Sequence, residues 1–298
     1  LNWLAALPIL LAFLLRLIPG LRIVDDAYIT FRYAQNLAAG HGLVFNAGEA
    51  VLGTTTPLYA FILACLSSTL KTDDLPQIAY VFNALLDAGG TALVFWIGKR
   101  ATGESSSAPF NGLAASFLWA AAPFSVTFAI GGLETSLVIL LLLASFACYL
   151  GRRDSWAAAA LALGVLVRPD VLIAAAAVFG FMGLRWLGAI LRRRRDGSQH
   201  EALPFPWRPA AVFVVILLPW IIYAAAVYGS PMPNSLAAKS VAYHLPPEAA
   251  LVRLLQHFAT PFHGDLILGN SWIAVGLFLY GSLFAIGSLY VVRREKRA

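Results

Sequence analysis

IVDDAYITFRYAQNLAAGHGLVFNAGEAVLGTTTP, residues 23–57, is the one long polar stretch in the first third of an otherwise apolar chain. It opens on an acidic pair, Asp25 and Asp26, directly after a hydrophobic segment. A helix is predicted over 27–39, closed by Gly40, with Ala27, Phe31, Ala34 and Ala38 on one apolar face. Arg32 and Asn36 fall on its more polar side, so the helix is expected to lie in a membrane surface. A Gly/Asn-rich loop carrying Glu49 follows, then a Thr run that ends at Pro57. Two readings of the acidic pair stay open. Asp is favoured at a helix N-cap, where the dipole welcomes negative charge. A carboxylate kept ionised there is also a candidate general base.

The rest of the chain says what kind of protein carries this stretch. Its 298 residues are 60% hydrophobic and 12% charged, with a mean hydropathy of +0.76. Soluble domains run at about 45–50% apolar and about 25% charged. Apolar runs of roughly 18 or more residues recur, which predicts an all-α polytopic membrane protein. The net charge of +6 and pI of about 9.5 come from short Lys/Arg clusters between apolar runs. Such clusters set topology and do not track a phosphate backbone, so no nucleic-acid partner is expected. Cys65 and Cys148 lie in apolar segments and read as small core residues, without disulfide or metal spacing. The chain begins at Leu1, as a fragment or trimmed product would, and its first segment reads as a span rather than a cleaved signal peptide.

About eight spans are predicted, at 2–19, 76–98, 110–130, 134–150, 156–167, 171–191, 210–228 and 271–292. The apolar segment 57–70 is about 21 Å long as a helix, short of a bilayer core of about 30 Å, and reads as interfacial or re-entrant. The basic loops at 99–100, 152–153, 192–195 and 293–297 then share one side, which the positive-inside rule makes cytoplasmic. The loop 20–75, Glu134, the Arg168-Pro169-Asp170 break and the loop 229–269 fall on the outer side. The Pro-rich start of that last loop is a turn placed to wrap a lipid-facing cavity. One domain, 1–298, is expected. No internal repeat is visible, which weighs against a carrier.

The external ionisable groups are the candidates for chemistry. Glu134, after Gly131-Gly132-Leu133, is either a helix N-terminal acid or a second carboxylate facing Asp25. Asp87 is an acid inside an apolar span with no partner visible in the sequence. His41, His244, His257 and His263 match no metal motif. Arg168 ends a segment of about 18 Å, so it is expected in a cavity below the outer surface, paired with Asp170 or with a ligand phosphate.

GHGLVFNAGEAVLGTTTPLY after the acidic pair, GGLETSL around Glu134, LVRPD at 166–170 and PNSLAAK at 233–239 occur in one order. In that order they resemble GT-C-fold glycosyltransferases that use polyprenyl-phosphate sugars. The resemblance is to bacterial, mycobacterial-type arabinofuranosyltransferases and, more distantly, to protein O-mannosyltransferases and aminoarabinose transferases. It implies a GT-C-type helical bundle with juxtamembrane helices in the first external loop, in a bacterial inner membrane with the site facing outward. It implies an inverting transfer of a sugar to a glycan, lipid or protein hydroxyl, with Asp25 as base and Asp26 orienting it. Glu134, Arg168, Asp170, Lys239, Arg32 and Glu49 would bind substrate. A divalent metal near Asp25 and Glu134 is a candidate cofactor that the sequence does not fix. Within these residues there are fewer spans than in many members and no soluble C-terminal domain, which leaves acceptor recognition open. A transporter or flippase of a lipid-linked sugar and a non-catalytic membrane scaffold are the alternatives.

Overall fold

The computed structural model describes residues 3–101, 106–196 and 205–235, with short pieces between 246 and 289. Among the described residues the chain is helical and has no strand. The helices are α1 (Trp3–Leu17), α2 (Asp25–Ala38), α3 (Pro57–Leu70), α4 (Leu75–Ala101), α5 (Ala108–Ala120), α6 (Pro123–Ile130), α7 (Thr135–Leu150), α8 (Asp154–Val167), α9 (Val171–Asp196) and α10 (Trp207–Tyr228). The chain divides into two compact units, Leu1–Leu236 and Ala237–Ala298. The first holds everything below.

Among the described residues three helices, α4, α9 and α10, are long and apolar enough to cross a membrane, and a fourth crossing arises if α5 and α6 count as one. The expected continuous span at 110–130 is broken. Its halves meet at 52°, with Pro123 opening the second. Proline suits a first helical turn but cannot continue an existing helix, so the break falls where the sequence puts it. α1, α7 and α8 are apolar but shorter, at 15, 16 and 14 residues. α3 spans 57–70 as expected, although Cys65 on it is exposed rather than packed in a core. The segment 271–292, Lys239, His244, His257 and His263 lie wholly or largely outside the described residues.

The core forms where α2 and α3 lie on α4, α7 and α8. Ala27, Phe31 and Ala34 of α2 meet Tyr59, Leu63, Ala79, Leu137 and Val167. Ala38, expected on that apolar face, is exposed. α8 is rich in alanine and packs against α7, α9 and α10. Its alanines let neighbouring backbones approach closely, the usual basis of helix association in lipid. Burial stops at its end: Val167 is fully buried, and Arg168 turns extended (φ −152, ψ 129) before Pro169.

Candidate functional site

Asp25 and Asp26 do not cap α2. Val24 (φ −82, ψ 152) is the N-cap residue, no side chain caps the helix, and the two aspartates are its first helical residues. Asp25 Oδ1 accepts the Asp26 N–H at 3.0 Å, and both residues are exposed. The dipole still favours their charge from that position. An exposed carboxylate with free lone pairs can accept a proton.

The Val24 N–H donates to Gly131 O at 3.0 Å, which ties the head of α2 to the turn 131–134 between α6 and α7. Gly132 makes this close approach feasible. Its φ is +80, and a Cβ there would meet Ile23 Cδ1 at 2.9 Å and Phe31 Cζ at 3.2 Å. The same turn is held from beneath by two buried neutral side chains. Asn83 Nδ2 of α4 donates to Ala129 O at 3.2 Å and to Leu133 O at 2.9 Å. The Tyr59 hydroxyl of α3 lies 3.1 Å from Asn83 Oδ1 and 3.2 Å from Gly132 O, so it can donate to either. The sequence reading did not single out these two residues. Their signal was an Asn and a Tyr inside apolar runs, where an unpaired polar group is costly.

Glu134, 5% exposed, precedes α7 and accepts from Arg168 Nη1 at 3.0 Å. The other edge of Arg168 grips Asp170, with Nε to Oδ1 at 3.2 Å and Nη2 to Oδ2 at 3.0 Å. The Arg168 side chain is 42% exposed and Asp170 54%. Arg168 is pushed up: its burial opposes charge, but Glu134 and Asp170 beside it outweigh that. Glu134 is deeply buried with one cation, and Arg168 is half exposed with two anions.

The remaining candidates have local roles. Arg32 donates to Phe45 O at 3.1 Å and to Gln35 Oε1 at 3.3 Å. Glu49 accepts from Asn46 at 3.0 Å on the surface of its loop. Asn36, expected on the polar side with Arg32, is buried instead, and its Nδ2 holds Val44 O and Phe45 O at 2.9 and 2.7 Å. Later chain reaches the same loop: the Tyr228 hydroxyl donates to Leu43 O at 2.7 Å, and Asn234 N–H donates to Leu52 O at 2.9 Å. An apolar cleft of about 390 Å³ lies beneath, lined by Leu37, Leu43, Phe61, Leu166, Trp220 and Tyr223 among others. The Pro-rich turn after α10 thus starts beside an apolar cleft.

Among the described residues no three His, Cys, Asp or Glu side chains gather as a metal site would need, and Glu134 is engaged by Arg168. Asp87, which showed no partner in the sequence, has one. Arg16 of α1 donates from Nε to Asp87 Oδ2 at 2.6 Å, with Arg16 fully buried and Asp87 2% exposed. No family model, no curated protein and no solved structure matches this chain.

Proposed function

We propose that this protein is a GT-C-type, membrane-embedded glycosyltransferase that moves a sugar from a polyprenyl phosphate to an acceptor hydroxyl at the outer face. The observation that carries this reading is the Val24–Gly131 bond. It joins an exposed acidic pair at a helix head to the turn that bears Glu134 and its Arg168 partner. A base and a cation at one end of an apolar bundle are what transfer from a lipid phosphate requires.

The acceptor oxygen attacks the anomeric carbon from the face opposite the phosphate. The carbon–phosphate oxygen bond breaks with its electron pair, the configuration inverts, and polyprenyl phosphate leaves. Asp25 takes the hydroxyl proton, with Asp26 beside it. Arg168 meets the phosphate by giving up Asp170, since an exposed ion pair is weak enough to exchange. Arg22, exposed three residues before Asp25, is a further cation at this end. Eight spans follow if α1, α4, the bent α5–α6, α7, α8, α9, α10 and the segment 271–292 all cross. Helices α7 and α8 are roughly 21–24 Å long against a core of about 30 Å. If they cross, the turns at their ends lie below the outer surface, within reach of a lipid-borne phosphate.

The test is incubation of the purified protein, in lipid nanodiscs, with a radiolabelled polyprenyl-phosphate sugar and acceptor glycans. Release of polyprenyl phosphate is expected, falling about 10²–10⁴-fold in Asp25→Asn. Movement of intact donor across a bilayer with no release would instead make the protein a flippase.

A further inference from the structure

The Arg16–Asp87 pair lies outside the site described above, yet its bonds run to both limbs of that site. All five guanidinium hydrogens of Arg16 have acceptors. Nε faces Asp87, Nη1 meets Ala12 O at 3.2 Å and Ala120 O, and Nη2 meets Ser125 Oγ at 2.9 Å and Trp119 O at 3.4 Å. The Ser125 hydroxyl in turn donates to Asp87 Oδ2 at 2.7 Å. Trp119 and Ala120 end α5, and Ser125 lies in the first turn of α6. The cation therefore sits on the carbonyl end of α5, where the dipole is negative. The anion sits by the amide end of α6, where it is positive. At the 52° break each helix end thus faces a charge of opposite sign to its own.

Two chain segments leave this cluster for the site. One runs from Arg16 to Val24 and delivers Asp25. The other runs from Ser125 to Gly131 and delivers Glu134. They meet again at the Val24–Gly131 bond. A loop of chain held at both ends has little freedom between them. We infer that Arg16, Asp87 and Ser125 form a positioning clamp that sets the Asp25 and Glu134 turns against each other. Replacing a buried ion pair by apolar residues commonly leaves stability unchanged or raised. A clamp kept only for stability would then be dispensable, whereas a positioning clamp would not.

This inference rests on the reading of those turns as the reaction site, but its test does not use the reaction. Spin labels are placed on exposed residues, in a background with Cys65 and Cys148 replaced by alanine. One pair joins Phe128 to Trp156 and reports the Glu134 limb; another joins Tyr28 to Trp156 and reports the Asp25 limb. Phe146 with Leu184 is the control. Electron–electron distances are read in nanodiscs for the parent, Arg16→Met/Asp87→Leu and the milder Ser125→Ala. The parent is expected to give single narrow peaks. The double variant is expected to melt no lower than the parent while both limb peaks broaden and the control stays narrow. Ser125→Ala is expected to broaden the Phe128 peak alone, and it decides the matter should the double variant not fold. Narrow, parent-like limb peaks in every folded variant would overturn the clamp. Loss of the peaks in a protein that never releases polyprenyl phosphate would keep the clamp and remove the glycosyltransferase reading.

Discussion

Arg16 sits 2.6 Å from Asp87, and Arg168 sits 3.0 Å from Glu134 and 3.0 Å from Asp170. The residue chemistry is the same, but the surroundings are opposite. Arg16 is wholly buried, and each of its hydrogens is bound to a fixed acceptor. Arg168 is 42% exposed, and one of its two partners, Asp170, is open to the surroundings. A dry, fully satisfied pair is costly to break, because whichever charge remains has nowhere to go. A wet pair exchanges partners at little cost. The first arrangement suits holding helices in place, and the second suits a cation that must meet a ligand.

Four substitutions probe that contrast. Asp87→Ala should have the largest effect, about 3–5 kcal/mol of stability, since it strands the Arg16 charge in an apolar interior. Chemical unfolding in detergent measures this, and a cost near zero would erase the distinction between the two arginines. Gly132→Ala comes next. It forces a left-handed backbone on a residue with a Cβ and drives that Cβ into Ile23, at a cost of about 1–3 kcal/mol. The loss should appear in the same unfolding curves, with weakened protection of the Val24 amide in hydrogen exchange.

Glu134→Gln should change neutral-pH stability by no more than about 1 kcal/mol, because the amide oxygen can still accept from Arg168 and no charge is stranded. Chemical unfolding at neutral pH measures this, and a loss of several kcal/mol would show that the Glu134 charge itself, rather than an acceptor at that place, holds Arg168. Asp170→Asn is expected to be the smallest, within about 0.5 kcal/mol, and a large loss would place Asp170 in a structural pair rather than an exchangeable one.

Much of the architecture was readable from local pattern. Pro57 at the start and a polar run after Leu70 fixed α3, and the apolar runs placed most of the other helices. The helix head was misread by two residues because Asp is so often an N-cap that Val24, the residue occupying that place, gave no signal. The bend at Pro123 is present in the sequence as a proline inside an apolar run, but hydropathy alone reads through it. Arg16 and Asp87 are 71 residues apart, and no local rule joins them. Two lone opposite charges in separate apolar runs do predict a pair on energetic grounds, and that was the available clue. Asn36 went to the wrong face because its partners are loop carbonyls eight and nine residues on, which periodicity does not see.

The loop between α2 and α3 is completed by chain made much later. Tyr228 closes on Leu43 across 185 residues. At synthesis rates of about 5–20 residues per second, the ribosome reaches that tyrosine roughly 10–40 s after it has released the leucine. During this interval the polar first loop has Asn36 and Tyr33 to hold it, but not its last two anchors. The order of manufacture therefore leaves the region around Leu43 open while α3 to α9 are made. A newborn chain halted before α10 would carry its acidic helix with the adjoining loop unlatched.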